Sequence, residues 1–139
     1  MTKVVYPSAL AGYLKADIDS DTVTYKVQLV DADYTYSSAH DFFDDVPAGA
    51  RIGTAQSLAS VTIGTVAAGV IDAADVTVPA VTAGDTVTGY VIYNSTPGSD
   101  ATRHLIAYVN EKADTSAISI ATNGGDIGIT WSASGIWKI

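Results

Sequence analysis

Residues 22–30 read TVTYKVQLV, and apolar side chains alternate with polar ones along the whole stretch. The apolar positions are Val23, Tyr25, Val27 and Leu29. Because successive side chains of a β-strand point to opposite faces, this alternation predicts a strand with one buried face and one exposed face.

Outward from this stretch, two further strong strand patterns occupy residues 86–94 (TVTGYVIYN) and 103–110 (RHLIAYVN), and a polar loop separates them. Shorter apolar runs between glycine-, aspartate- and alanine-rich turns predict more strands, with a brief extension at 34–36. These runs are 51–54, 61–66, 70–78 (one or two strands), 118–120, 126–131 and 136–139.

Two short helices are predicted. The first covers about residues 8–15, where Leu10, Tyr13 and Leu14 have helical spacing. The second covers about residues 39–45, beginning after Ser38 as the N-cap and ending before Pro47.

The composition agrees with a mainly β chain. Valine, isoleucine and threonine are abundant, while Glu111 is the only glutamate, and β-branched residues favour sheets. The 139 residues, 47% of them apolar, suit one domain spanning residues 1–139. We therefore expect an antiparallel β-sandwich of about seven to nine strands with one or two short helices.

The charge balance bears on the partners. Seven lysines and arginines against fifteen acidic residues give a net charge of −8, which argues against nucleic acid and against anionic membrane surfaces. We find no targeting signal and no apolar run long enough for a transmembrane helix. The absence of cysteine excludes disulfides and thiolate metal sites.

Candidate metal ligands are few. Asp17, Asp19 and Asp21 have the spacing of the first half of an EF-hand loop, but its later glycine and glutamate are missing, so a looser Ca²⁺ site competes with a solvated turn. His40 and His104 are the only imidazoles, too few for the usual zinc site. We expect no metal and no cofactor.

No catalytic motif is apparent. The sequence contains neither a G-x-S-x-G nucleophile elbow nor a glycine loop that would cradle phosphates. We expect a protein that is not an enzyme.

Four stretches carry a resemblance to a known group of proteins. They are KVQLVDADYTYSSAHDFFDDVPAGARIGT (26–54), VIDAADVTVPAV (70–81), VIYNSTPGSDATRHLIAYVN (91–110) and NGGDIGITWSASGIWKI (123–139). The chain resembles small structural proteins of tailed bacteriophages, described as capsid decoration, head-fibre or minor tail proteins. The resemblance implies a location in the virion, assembly in the host cytoplasm, and binding to the major capsid protein or other virion proteins, with copies of this chain forming a homo-oligomer on the particle.

A decoration protein on the outside of the head is the leading expectation, and a minor tail or fibre protein is the alternative within the same class. For the partner contacts we expect the aromatic group Tyr34, Tyr36, His40, Phe42 and Phe43, although at least one of the two phenylalanines is expected to plug the core instead.

An alternative from another class is a carbohydrate-binding module for adhesion to the host. In that case the indole ring of Trp131 or Trp137 would serve as the stacking platform for a sugar.

Overall fold

The computed structural model describes residues 3–139 and is mainly β, as expected. The described strands are β1 (Lys3–Val5), β2 (Tyr25–Val30), β3 (Arg51–Ser57), β4 (Thr62–Ile63), β5 (Val70–Asp72), β6 (Val76–Val78), β7 (Thr86–Val87), β8 (Gly89–Asn94), β9 (Leu105–Val109), β10 (Ile120–Ala121), β11 (Ile127–Ile129) and β12 (Trp137–Lys138). Helix α1 covers Pro7–Leu14, and 3-10 turns cover Phe43–Asp45, Ala48–Ala50 and Asp100–Thr102.

The main layer is a five-stranded antiparallel sheet in the order β1-β9-β8-β2-β3. Both of its faces are covered, since the adjacent residues Val91 and Ile92 of β8 point to opposite faces and are both fully buried. The prediction of a polar outer face on β2 is wrong. Gln28 is buried there, and its Nε2 donates to the carbonyl oxygens of Ile52 at 2.8 Å and Leu29 at 3.0 Å. These hydrogen bonds take the place of hydration and allow the amide to be buried.

The second layer is built from shorter antiparallel pieces. Strand β6 pairs with β11, and β7 pairs with β10. Between these two pairs, backbone hydrogen bonds of Val81 and Thr122 continue the contact of the two runs. We call the two runs, residues 76–87 and 120–129, the outer ribbon. Beside it lies a three-stranded sheet, β12-β5-β4, whose Trp137 packs edge-on against Tyr25 of β2 at 5.1 Å. Two packed layers of antiparallel sheet confirm the expected sandwich class.

Helix α1 confirms the first predicted helix. Pro7 occupies its first turn, where the missing N–H costs nothing, and Ala9 packs into the core.

The second predicted helix, at 39–45, is wrong. Only the 3-10 turn Phe43–Asp45 forms, because Phe42 is extended and makes an isolated bridge with His104. The Asp45 carboxylate accepts the backbone N–H of Asp41 at 2.8 Å and so supports this extended entry.

The remaining differences concern strand lengths. The predicted strand at 61–66 is reduced to Thr62–Ile63, since Gly64 turns the chain with φ +70°. Residues 34–36 form no strand, and β1 was not predicted. The described residues form twelve strands, several of only two or three residues, against the seven to nine expected.

A charged clamp holds the loop before β9 against the 3-10 turn Phe43–Asp45. Asp100 accepts from Arg51 at 2.8 Å and from Arg103 at 2.9 Å. Arg51 also donates to the carbonyl oxygen of Phe43, and its guanidinium carbon lies 3.9 Å from the centre of the Phe43 ring. The clamp therefore holds the Phe43 ring in place.

Candidate binding groove

A groove of about 400 Å³ lies between the main sheet and the outer ribbon. Its floor is one row of cross-strand neighbours, Lys3, Val109, Tyr90 and Leu29, on β1, β9, β8 and β2. The row forms because the strand registers bring these four residues side by side on one face of the sheet. The groove therefore runs across the strands, from the edge of the sheet towards its middle.

The walls of this groove are mainly aliphatic. One wall is the segment 127–132, with Ile127 and Ile129, and the other is the segment 111–120, with Ile118 and Ile120. Ile120 keeps 36% of its surface exposed, so apolar area in the groove is open to solvent. Such an apolar concave surface is the usual form of a binding site.

The two ends of the groove differ in polarity. At the inner end, Leu29 and Val87 are 2% and 1% exposed. At the sheet edge, Lys3 is largely accessible. Glu111 and Lys112, which follow its strand partner Val109 by two and three residues, also line the groove. Burial of part of its side chain lowers the pKa of Lys3, whose Nζ makes one long contact, 3.5 Å, to the carbonyl oxygen of Gly135. The groove thus has a closed apolar end and a mouth that carries a partly desolvated cation.

Two aromatic side chains meet inside the groove. The rings of Tyr90 and Trp131 pack edge to face, with centroids 5.7 Å apart. The Trp131 indole N–H donates to the carbonyl oxygen of Ala74 at 2.8 Å, which fixes the orientation of its ring. Burial raises the pKa of Tyr90 to about 12, so its hydroxyl remains protonated at neutral pH.

Of the two predicted stacking platforms, Trp131 is half-exposed and lies in this groove. Trp137 is 2% exposed and packs against Tyr25, so its ring offers no free face to a sugar. The glycan-binding alternative therefore depends on Trp131 alone.

The predicted partner-binding residues divide between two places. Tyr34 and Tyr36 line a hollow beside Tyr108, where Tyr36 stacks on Tyr108 at 6.0 Å. His40 packs against the ring of Tyr34, with centroids 5.6 Å apart. Phe42 and Phe43 lie elsewhere, against His104 and Tyr93 respectively.

Two of these five residues have almost no free surface, since Tyr34 is 4% exposed and Phe43 is 3% exposed. The expectation that at least one phenylalanine plugs the core is therefore met by Phe43. Tyr36, His40 and Phe42 keep exposed surface, and their partner-binding role stays a prediction.

A hydrogen-bonded tyrosine pair explains the position of Tyr34. Its hydroxyl lies 2.5 Å from that of Tyr6 and 3.1 Å from Nδ1 of His40. Burial raises the pKa of Tyr34 to about 12, and burial together with the neighbouring Tyr34 raises the pKa of Tyr6 far above its ordinary value. This buried pair is part of the framework of the sandwich.

The acidic turn does not form a metal centre in the described residues. Asp17, Asp19 and Asp21 are all exposed, and Asp19 accepts the backbone N–H of Asp21 at 3.1 Å, as in a solvated turn. Within residues 3–139 no three histidine, cysteine or acidic side chains converge in a way that could hold a metal ion.

The groove was missed by the sequence reasoning because its floor comes from four separate strands. Only Trp131 was singled out beforehand, and Lys3 and Tyr90 carried no signal beyond their place in an apolar stretch. A pattern within one strand cannot reveal which residues become its cross-strand neighbours.

None of the helices described in residues 3–139 has the length and apolar character needed to cross a membrane. Comparison with protein-family models, with curated proteins and with solved structures finds no match to this chain.

Proposed function

We propose that this protein is a non-enzymatic structural protein of a bacteriophage virion, and that it binds the outer surface of the head as a decoration protein. Its partner is the major capsid protein, and copies of the chain associate on the particle. The resemblance of the four sequence stretches to phage structural proteins supports this class.

The observation that carries the proposal is the open groove. A sandwich of this size could close its two layers over their shared core, yet here Ile120 and Trp131 line a solvent-accessible apolar surface. Accessible apolar surface of this kind marks interaction sites in soluble proteins. A binding role fits it better than a chemical one, because its walls are aliphatic and carry few groups that could transfer a proton.

The size of the molecule is sufficient for such a role. A specific protein interface buries about 800 Å² on each partner. The chain has 6768 Å² of accessible surface, so this interface would use about an eighth of it. The net charge of −8 opposes association of unbound copies before assembly through electrostatic repulsion.

The test is to quantify this protein in purified virions and to rebind it to particles that lack it. We expect a copy number comparable to that of the major capsid protein, and saturable rebinding to the head. A handful of copies located on the tail would favour a minor tail or fibre protein, and virions without this chain would refute the proposal.

A second candidate is carbohydrate binding, favoured by the half-exposed Trp131 ring beside Tyr90. Calorimetric titration with host-surface glycans tests it. Binding that is lost in Trp131→Ala and kept in Trp131→Phe, with an unchanged unfolding midpoint in both variants, would favour this candidate over decoration.

A further inference from the structure

We propose that the groove binds an extended segment of the capsid subunit, in which apolar side chains cover the floor and an acidic side chain lies at Lys3. The inference names the partner chemistry of the decoration role and rests on that proposed function.

The backbone around the groove favours an extended partner. Strand β1 stands at the end of the five-stranded order and β11 at the end of its own pair, so within residues 3–139 each has one edge without a strand partner. Strand β11 lines the groove with all of Ile127–Ile129, whereas β1 contributes only Lys3 at the end of the floor. A segment lying across the floor runs across β1, so the free edge of β11 is the one that it can pair with. Free N–H and C=O groups at a strand edge bind an extended peptide by strand addition.

The length of the floor sets the length of the bound segment. Leu29, 2% exposed, closes the floor at its inner end, so the part that a partner can reach ends at Tyr90 of β8. From β1 to β8 there are two strand spacings of about 4.8 Å, or about 10 Å. At about 3.3 Å per residue, a fully extended chain crosses this part with about three residues. Apolar residues line the groove, with Val109 in the floor and isoleucines in both walls. We therefore expect the side chains that the partner directs into the groove to be apolar.

The charges at the mouth of the groove favour a partner segment with an acidic residue. Lys3 and Lys112 are two of only seven basic residues in a chain of net charge −8, and both line this groove, whereas Glu111 is the one acidic residue lining it. The Lys3 ammonium makes one long contact, 3.5 Å, to the carbonyl oxygen of Gly135, and a carboxylate of the partner would give it a charge-assisted hydrogen bond. The mouth therefore selects an acidic residue next to the apolar ones.

The aliphatic part of the lining favours an apolar occupant over a sugar, while Thr130, Ser132 and the charged groups at the mouth are polar. A sugar presents many hydroxyl groups that need hydrogen-bond partners when they are buried. The aliphatic walls at Ile118, Ile120, Ile127 and Ile129 offer none from their side chains.

The first test compares two groove variants with two matched controls in the rebinding assay. Ile120→Glu places a charge in the wall, and Ile63→Glu places the same charge on another exposed isoleucine outside the groove. Lys3→Glu reverses the charge at the mouth, and Lys15→Glu reverses an exposed lysine elsewhere. All four positions are solvent-accessible, so we expect unchanged unfolding midpoints.

We expect Ile120→Glu to abolish measurable rebinding and Lys3→Glu to weaken it about tenfold, the size of a lost charge-assisted contact. The controls should stay within about twofold of the unmodified protein. If the unmodified protein rebinds and both groove variants rebind equally well, this inference is wrong and decoration stands. If the unmodified protein does not rebind at all, the proposed function is wrong and the inference falls with it.

The second test identifies the occupant directly. A photo-crosslinking residue at position 120, with position 63 as the control, is irradiated on the particle and the product is mapped by peptide mass spectrometry. We expect a capsid-subunit segment with alternating apolar residues and a neighbouring acidic one. Crosslinks only to a second copy of this chain, to a basic segment, or to no protein would overturn the inference.

Discussion

Replacing Phe43 by alanine tests whether this residue is a core plug or a partner contact. The side chain is 3% exposed, its ring stacks on that of Tyr93 with centroids 3.8 Å apart, and the Arg51 guanidinium lies over it. Truncation of a buried phenylalanine costs about 3–5 kcal/mol, because apolar burial is lost and a cavity remains. The lost cation–π contact adds up to about 1 kcal/mol.

That cost is large against the total stability of about 5–15 kcal/mol expected for a domain. Urea unfolding at neutral pH measures it, with the slope of the transition checked for constancy. Phe42→Ala is the matched control. The Phe42 side chain is only partly buried and packs against His104, so we expect this variant to lose clearly less free energy of unfolding.

One result would refute the reasoning. If Phe43→Ala lowers the free energy of unfolding by less than about 1 kcal/mol while rebinding to particles is lost, the ring is a partner contact and its burial does not stabilise the sandwich.

Three further outcomes follow from the structure. Gly135→Ala should cost about 2–4 kcal/mol in urea unfolding, because its Cβ would lie 2.2 Å from Val70 Cγ1 at a backbone φ of +91°, whereas Gly49→Ala, which meets nothing within 4 Å, should be nearly neutral. Burial opposes ionisation of Asp100, but hydrogen bonds and charge from Arg51 and Arg103 outweigh it and hold its pKa below the ordinary value. The stability difference between the unmodified protein and Asp100→Asn should therefore be present at neutral pH and vanish as the pH falls below about 4; a difference independent of pH would contradict this. Tyr6 and Tyr34 have raised pKa values, so their contribution to stability should be constant below about pH 10 and be lost as the pH rises further. The loss of stability at alkaline pH should be less steep in Tyr6→Phe.

The strands were the part of the fold that the sequence predicted best. The alternation in residues 22–30 and the apolar run at 103–110 correspond to β2 and β9. The run at 86–94 is divided between β7 of the outer ribbon and β8, which lies between β9 and β2 at the centre of the main sheet. Such patterns depend on neighbouring residues in one segment, and a wrong register would move a whole apolar face into solvent. The helix at 39–45 failed for the opposite reason, because its local capping signal was overridden by the bridge between Phe42 and His104.

The candidate site was far harder to predict from the sequence. Of the residues proposed for partner binding, Tyr34 and Phe43 have the aromatic character of contact residues, but their packing against Tyr6 and Tyr93 buries them. Aromatic side chains dominate both cores and interfaces, so composition does not separate the two roles.

The sequence by itself therefore determined that the chain is mainly β, acidic and without cysteine, because composition and short-range periodicity are properties of the chain alone. Only the tertiary structure decided that Lys3, near the start of the chain, lies beside Val109 and in one row with Tyr90 and Leu29. Strand order and register create such rows from distant segments. The groove exists because the row is covered at its Leu29 end and accessible at its Lys3 end, at the edge of the sheet.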